Sequence, residues 1–105
     1  MSKRLLFLER TVAEGSKDPF AHYCLAQEYR TLGRTEDSLR TFSGIRQNHP
    51  NYLAAYLMAA QLLEELGRRE ESAEWCRVGI ERAQAARDAH TVGELEALLA
   101  RVTSA

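Results

Sequence analysis

Two glycines constrain this chain more than any other feature, because the interval between Gly33 and Gly67 (67 − 33 = 34) is also the interval at which the sequence repeats itself. At that offset Ala21 and Ala55, Ala26 and Ala60, Gln27 and Gln61, Leu32 and Leu66, Arg34 and Arg68, Glu36 and Glu70, and Ser38 and Ser72 also coincide. The matches run through the stretch from Asp18 to Gln84 rather than clustering. A fixed period of this length marks a helical repeat, in which one unit cannot bury its apolar face alone and must stack on a neighbour.

Local signals place six helices. Leu5, Leu8 and Val12 form a stripe at helical spacing, with Leu6 and Phe7 expected to widen it, and Gly15 stands where the helix would stop. Asp18 followed by Pro19 supplies an N-cap and a proline at the first helical position, where its missing N–H costs nothing. That second helix is expected to end at Gly33. Thr35 is then read as the cap of a third helix running to about Asn48, which His49 and Pro50 terminate. Asn51 is read as the cap of a fourth helix, Tyr52 to Leu66, closed by Gly67. A fifth starts near Arg69 and extends to about Ala86, longer than its counterpart because Gln84 stands where the first unit has Pro50. Asp88 caps a sixth helix with Val92, Leu95, Leu98, Leu99 and Val102 on its stripe.

At 105 residues and 45% hydrophobic content the chain is expected to form one folded domain. Its 14 basic and 15 acidic residues are mixed along the sequence, for a formal charge of −1. A general electrostatic grip on nucleic acid or anionic membrane needs a basic surplus, so neither is expected as a partner. The apolar run after Met1-Ser2-Lys3-Arg4 spans only Leu5 to Leu8, which fits neither a signal peptide nor a membrane span. Cys24 and Cys76 lie in different repeats, so a disulfide framework is not suggested and a reducing cytoplasm is the expected location.

In the first unit His22, Leu25, Ala26, Tyr29, Gly33, Ser38, Phe42 and Pro50 resemble the tetratricopeptide repeat, whose pattern has an aromatic, Leu-Gly, Tyr, a turn Gly, Ala, Phe and Pro at these spacings. The second unit holds Tyr56, Ala59, Ala60, Leu63, Gly67, Ser72, Cys76 and Gln84 at the same places and is degenerate. His22 departs from the aromatic, and Cys76 is smaller than the expected ring, a gap that neighbouring Trp75 is expected to fill in part. The likeness covers about two-thirds of the chain. It implies an all-α right-handed superhelix of two helix pairs, with an N-terminal helix and a C-terminal capping helix like those of small stand-alone bacterial members. The expected division of the single 1–105 domain is an N-terminal helix at 3–15, repeats at 19–50 and 51–86, and a capping helix at 88–103.

The resemblance implies a cytoplasmic protein–protein adaptor, with the first helix of each repeat lining a groove for an extended peptide or a partner helix. On those helices Phe20, Tyr23, Gln27 and Arg30, and Leu57, Met58, Gln61 and Glu64, form an apolar strip flanked by polar groups. These side chains are read either as ligand contacts or as packing between repeats. The carboxylate-gripping lysines and asparagines of one family subclass are absent from the corresponding positions, so an apolar or amphipathic protein segment is the expected ligand.

No catalytic, metal or cofactor site is expected. His22, His49 and His90 fall on different elements without a His or Cys at i+4, and His90 with Glu94 reads as a solvated pair. His22 and Cys24 are two apart and point away from each other on a helix. Glu64, Glu65, Glu70, Glu71 and Glu74 surround Arg68 and Arg69, a mutually neutralised cluster. No glycine-rich phosphate loop or nucleophile motif is present. Two other classes stay open at this point: a structural module that forms a homodimer or larger homo-oligomer without a separate ligand, and an enzyme or RNA-binding repeat. The latter needs basic groove faces, and the groove positions supply only Arg30.

Overall fold

The computed structural model describes residues 2–104, and every regular element among them is an α-helix: α1 Lys3–Ala13, α2 Pro19–Thr31, α3 Thr35–Asn48, α4 Leu53–Glu65, α5 Arg69–Ala85 and α6 Ala89–Thr103. The helices fall into two compact units that divide after His49, α1 to α3 in the first and α4 to α6 in the second. In the first unit α2 packs against both α1 and α3; in the second α4, α5 and α6 all pack against one another.

Three turns share one construction. Each uses a residue at positive φ, Gly33 (76°), Gly67 (74°) or Arg87 (59°), just past the helix C-cap. In the first, the Gly33 N–H donates to the Arg30 carbonyl at 3.1 Å and the Arg34 N–H to the Tyr29 carbonyl at 2.8 Å. Gly67 and Arg68 repeat the pair on Glu64 and Leu63, and Arg87 and Asp88 on Gln84 and Ala83. These are Schellman closures, which satisfy carbonyls that the helix end leaves open. Arg87 adopts the left-handed conformation without glycine's freedom, at a cost of about 1 kcal/mol.

The helix starts confirm two of the expected caps and correct two. Asp18 Oδ1 accepts from the Phe20 N–H at 3.0 Å with Pro19 in the first turn, and Asp88 Oδ1 accepts from the Thr91 N–H at 3.0 Å. Thr35 does not cap α3: Arg34 holds the N-cap position without a side-chain capping bond, and the Thr35 hydroxyl bonds the Gly33 carbonyl at 3.5 Å. The three-residue turn brings the chain into the helix so quickly that Thr35 is already inside it. Asn51 likewise gives way to Tyr52. α5 is 17 residues against 14 for α3, as the missing proline suggested.

The repeat persists in contacts between helices. Ser38 Oγ donates to the Ala26 carbonyl at 2.7 Å, and Ser72 Oγ to the Ala60 carbonyl at 2.8 Å. Both serines and both alanines are fully buried. A side chain as short as serine reaches a neighbouring backbone only where the helices nearly touch, and alanine at the crossing permits that approach. His22 and Tyr56 form a second pair: the His22 ring nitrogen lies 2.9 Å from the Ser16 carbonyl, and the Tyr56 hydroxyl donates to the Pro50 carbonyl at 2.6 Å. Histidine thus takes over the aromatic's tie to the preceding loop.

Phe42 and Ile45 are buried in the first unit; Tyr56, Leu63, Cys76, Leu95 and Leu98 are buried in the second. Trp75 is buried next to Cys76 and meets the Tyr56 ring at 5.9 Å between centroids. Gly79 completes this packing, because a Cβ there would lie 2.7 Å from Tyr56 Cβ and 2.9 Å from Leu95 Cδ1. Leu6 and Phe7 do not widen the buried stripe of α1. They are 47% and 68% exposed, since Leu5, the one buried residue of α1, sets an inward direction from which both are turned away.

Candidate functional site

On α2, Phe20, Tyr23, Gln27 and Arg30 follow one another at helical spacing, and the structure places them in different surroundings. Phe20 is 58% exposed and stacks on Tyr23, with ring centroids 6.5 Å apart. Tyr23 is half-buried and meets the core ring of Phe42 edge-on at 6.3 Å. Burial raises its phenol above the usual 10, so it stays neutral. The Gln27 amide donates to the Tyr23 hydroxyl at 3.5 Å, while its Oε1 is buried without a partner. Arg30 is half-buried in the last turn.

Tyr23 and Gln27 belong to an open cleft of about 440 Å³ between α1 and α2. Phe7, Leu8, Tyr23 and Cys24 give it an apolar lining, and Arg4, Gln27 and Glu28 place polar groups at its wall. Sequence reading overlooked the α1 side of this cleft. The signal was available: with Leu5, Leu8 and Val12 pointing inward, Phe7 has to face out.

Charged and aromatic groups tie α1 to α2. The Tyr29 hydroxyl donates to Glu9 Oε2 at 2.6 Å, and the Arg34 guanidinium lies 4.6 Å from the Tyr29 ring centroid. Burial, followed by the Glu9 carboxylate, pushes the Tyr29 hydroxyl up to about 12. On the other flank the Ser2 hydroxyl donates to Glu28 Oε2 at 3.0 Å and accepts from the Leu5 N–H, capping α1.

In the second unit the counterpart positions differ. Leu57 is 9% exposed and packed, whereas Met58 and Gln61 remain half-buried. Glu64 is engaged by Arg101 of α6 through bonds of 3.0 and 3.2 Å, which hold its carboxyl below the usual range. Arg69 donates to the carbonyls of Arg101, Val102 and Ser104, closing the end of α6. Arg68 pairs with Glu71 as Arg34 pairs with Asp37, so the acidic cluster is partly neutralised within its own helix. His90 and Glu94 form an exposed pair at 3.2 Å. Among the described residues no group of three or more His, Cys, Asp or Glu side chains could hold a metal ion. No helix among them is long and apolar enough to cross a membrane.

Paired helices of one period, closed by the same turn and crossed by the same serine bond, define a helical-repeat interaction module. A tetratricopeptide repeat domain protein from Salinibacter ruber is similar to this chain in two solved structures. Its solution NMR structure matches at 26% identity and a TM-score of 0.79, over 83% of this chain and 88% of that one. Its crystal structure matches at 27% identity and 0.75, over 81% and 96%. A Bordetella parapertussis protein in solution shares the fold at 22% identity and 0.80, over 97% of this chain and 89% of its own. No protein-family model matches the sequence, and no curated protein matches it. The chain shares its fold with these small tetratricopeptide-repeat structures. That likeness supports a non-catalytic protein–protein interaction module.

Proposed function

We propose that this chain is an adaptor that holds an amphipathic segment of a partner protein against the α1–α2 face of the first unit. The observation that carries the reading is the pairing of two exposed phenylalanines with a preformed cleft: Phe7 forms part of its lining, and Phe20 extends it through the stack on Tyr23. Large exposed apolar side chains beside a concave surface mark interaction sites more often than scattered ones do. Tyr23 and Gln27 supply polar groups inside an otherwise apolar surface and would orient the ligand. Arg30 borders the same helix face. On the second unit, taken by itself, Met58 and Gln61 are the half-buried residues of α4 proposed as ligand contacts, while Leu57 is packed and Glu64 is tied to Arg101.

Affinity capture from the source cell's lysate tests this with wild type, Phe20→Ser and Tyr23→Ala, each checked for folding by circular dichroism. Phe20→Ser is the sharper variant because its ring is mostly in solvent. A protein retained by wild type and lost from both variants is the expected result. The same retained proteins from all three would refute the site.

A further inference from the structure

We propose that the partner segment is acidic: the outward arc of α1 is built to receive an amphipathic helix whose apolar stripe is flanked by carboxylates. The proposal rests on the α1–α2 reading above and adds the charge of the ligand.

Lys3, Leu6, Phe7 and Arg10 fall at i, i+3, i+4 and i+7, one face of α1, and all four are exposed. Phe7 is the most exposed large apolar side chain among the described residues. A cation therefore stands on each side of a two-residue apolar patch, about 10 Å apart along the helix. Arg4 adds a third on the cleft side of Phe7, with its side chain 78% exposed. Its nearest carboxylate, Glu28, is 3.8 Å away and already accepts from the Ser2 hydroxyl. The other acids of α1 and its end offset this face only in part. Glu9 is turned to Tyr29 and Arg34, and Glu14, at i+4 from Arg10, lies at the C-cap end of the face, leaving Lys3 and Arg4 without an acid of α1 beside them. The N-terminal end of α1 adds its own partial positive charge.

The near-neutral composition conceals this. The first unit carries 8 basic and 6 acidic residues, the second 6 and 9. An uncharged apolar ligand would cover Leu6 and Phe7 but strip water from the cations beside them, and a basic ligand would be repelled. Carboxylates about two helical turns apart would pair with Lys3 and Arg10 while the residues between them cover Leu6 and Phe7. Two apolar side chains are too few to hold a lipid surface stably, which favours a protein segment.

The test uses the full chain and two labelled synthetic helical peptides with the same Leu/Phe stripe, flanked by Glu in one and by Lys in the other. Fluorescence anisotropy should show the Glu peptide binding at least about tenfold more tightly, with affinity falling as salt rises. Lys3→Glu/Arg10→Gln should abolish that preference. Phe7→Ser should weaken both peptides. All these side chains are exposed, and circular dichroism confirms folding. Equal binding of the two peptides would overturn the acidic preference and leave the α1–α2 site standing. Failure of both peptides, alongside a lysate partner still lost on Phe20→Ser, would overturn the inference alone; without such a partner, both readings fall. Retention on phosphatidylserine vesicles but not on the Glu peptide would assign the face to lipid instead. Sedimentation as a dimer that Phe7→Ser dissociates would assign it to a second copy. Either outcome overturns the proposal.

Discussion

Replacing Gly79 with alanine sets two opposing effects against each other, and the structure decides between them. Inside a helix, alanine is favoured over glycine by about 1 kcal/mol. Against that, the new Cβ would lie 2.7 Å from Tyr56 Cβ, 2.9 Å from Leu95 Cδ1 and 3.1 Å from Tyr56 Cγ. Carbon atoms prefer about 3.5–4.0 Å. Tyr56 cannot withdraw freely, because its Cβ is one bond from the backbone and its hydroxyl is fixed to the Pro50 carbonyl. Overpacking of a methyl group typically costs about 1–3 kcal/mol, and a rigid neighbour places this site at the upper end. The net expectation is a destabilisation of about 1–2 kcal/mol, read as a fall in Tm of roughly 5–10 °C for a domain of this size. Gly93→Ala is the control, since nothing lies within 4 Å of its added Cβ, and it should gain about 1 kcal/mol. Thermal and urea unfolding followed by circular dichroism compare the two. If Gly79→Ala is stabilised to the same degree as Gly93→Ala, then α5 does not approach α4 and α6 as closely as argued, and the packing account of the second unit fails.

Ser38→Ala and Ser72→Ala should each cost about 1 kcal/mol in urea titrations, because the hydroxyl bond is lost while the Ala26 and Ala60 carbonyls keep their helical partners. Arg69→Ala removes three bonds to the end of α6; faster hydrogen exchange in its last turn, with a loss of about 1–2 kcal/mol, is the expected reading. Burial pushes the Cys76 thiol from its ordinary 9.0 to about 11. A thiol whose folded pKa is raised contributes stability that is complete below pH 9.0 and disappears as pH climbs through about 11. Unfolding titrations across that window should show the decline for wild type and a shallower one for Cys76→Ala. Thiol labelling at neutral pH should modify half-exposed Cys24 first.

What the sequence disclosed and what it withheld divide along physical lines. Gly33 and Gly67 were legible because a backbone at positive φ selects glycine, and Asp18-Pro19 because a cap and a proline each act within one turn. Arg87 escaped because the same turn is made there by a residue whose chemistry gives no hint of it. Thr35 and Asn51 look like caps by type but miss by one position, which only the turn's length decides. At the proposed site, Phe20, Tyr23 and Gln27 were read as one face through helical spacing. Phe7 was assigned inward because it adjoins the core stripe in sequence, and Leu57 was left open between contact and packing until its burial was known. Periodicity tells which residues share a face; which neighbours cover that face is a tertiary matter.

The recurring three-residue turn has a consequence for how this chain can change. Arg34, Arg68 and Asp88 each complete the closure of one helix and occupy the N-cap of the next, so no slack residue separates the two. One inserted residue would rotate the following helix by about 100° about its axis and carry its apolar stripe off the neighbour it packs against. Those three turns act as indexing teeth that fix the rotational phase of α3, α5 and α6. Within the first unit the longer connection at 14–18 is therefore where an inserted residue is expected to be tolerated best, because it does not pass straight from one helix closure into the next N-cap.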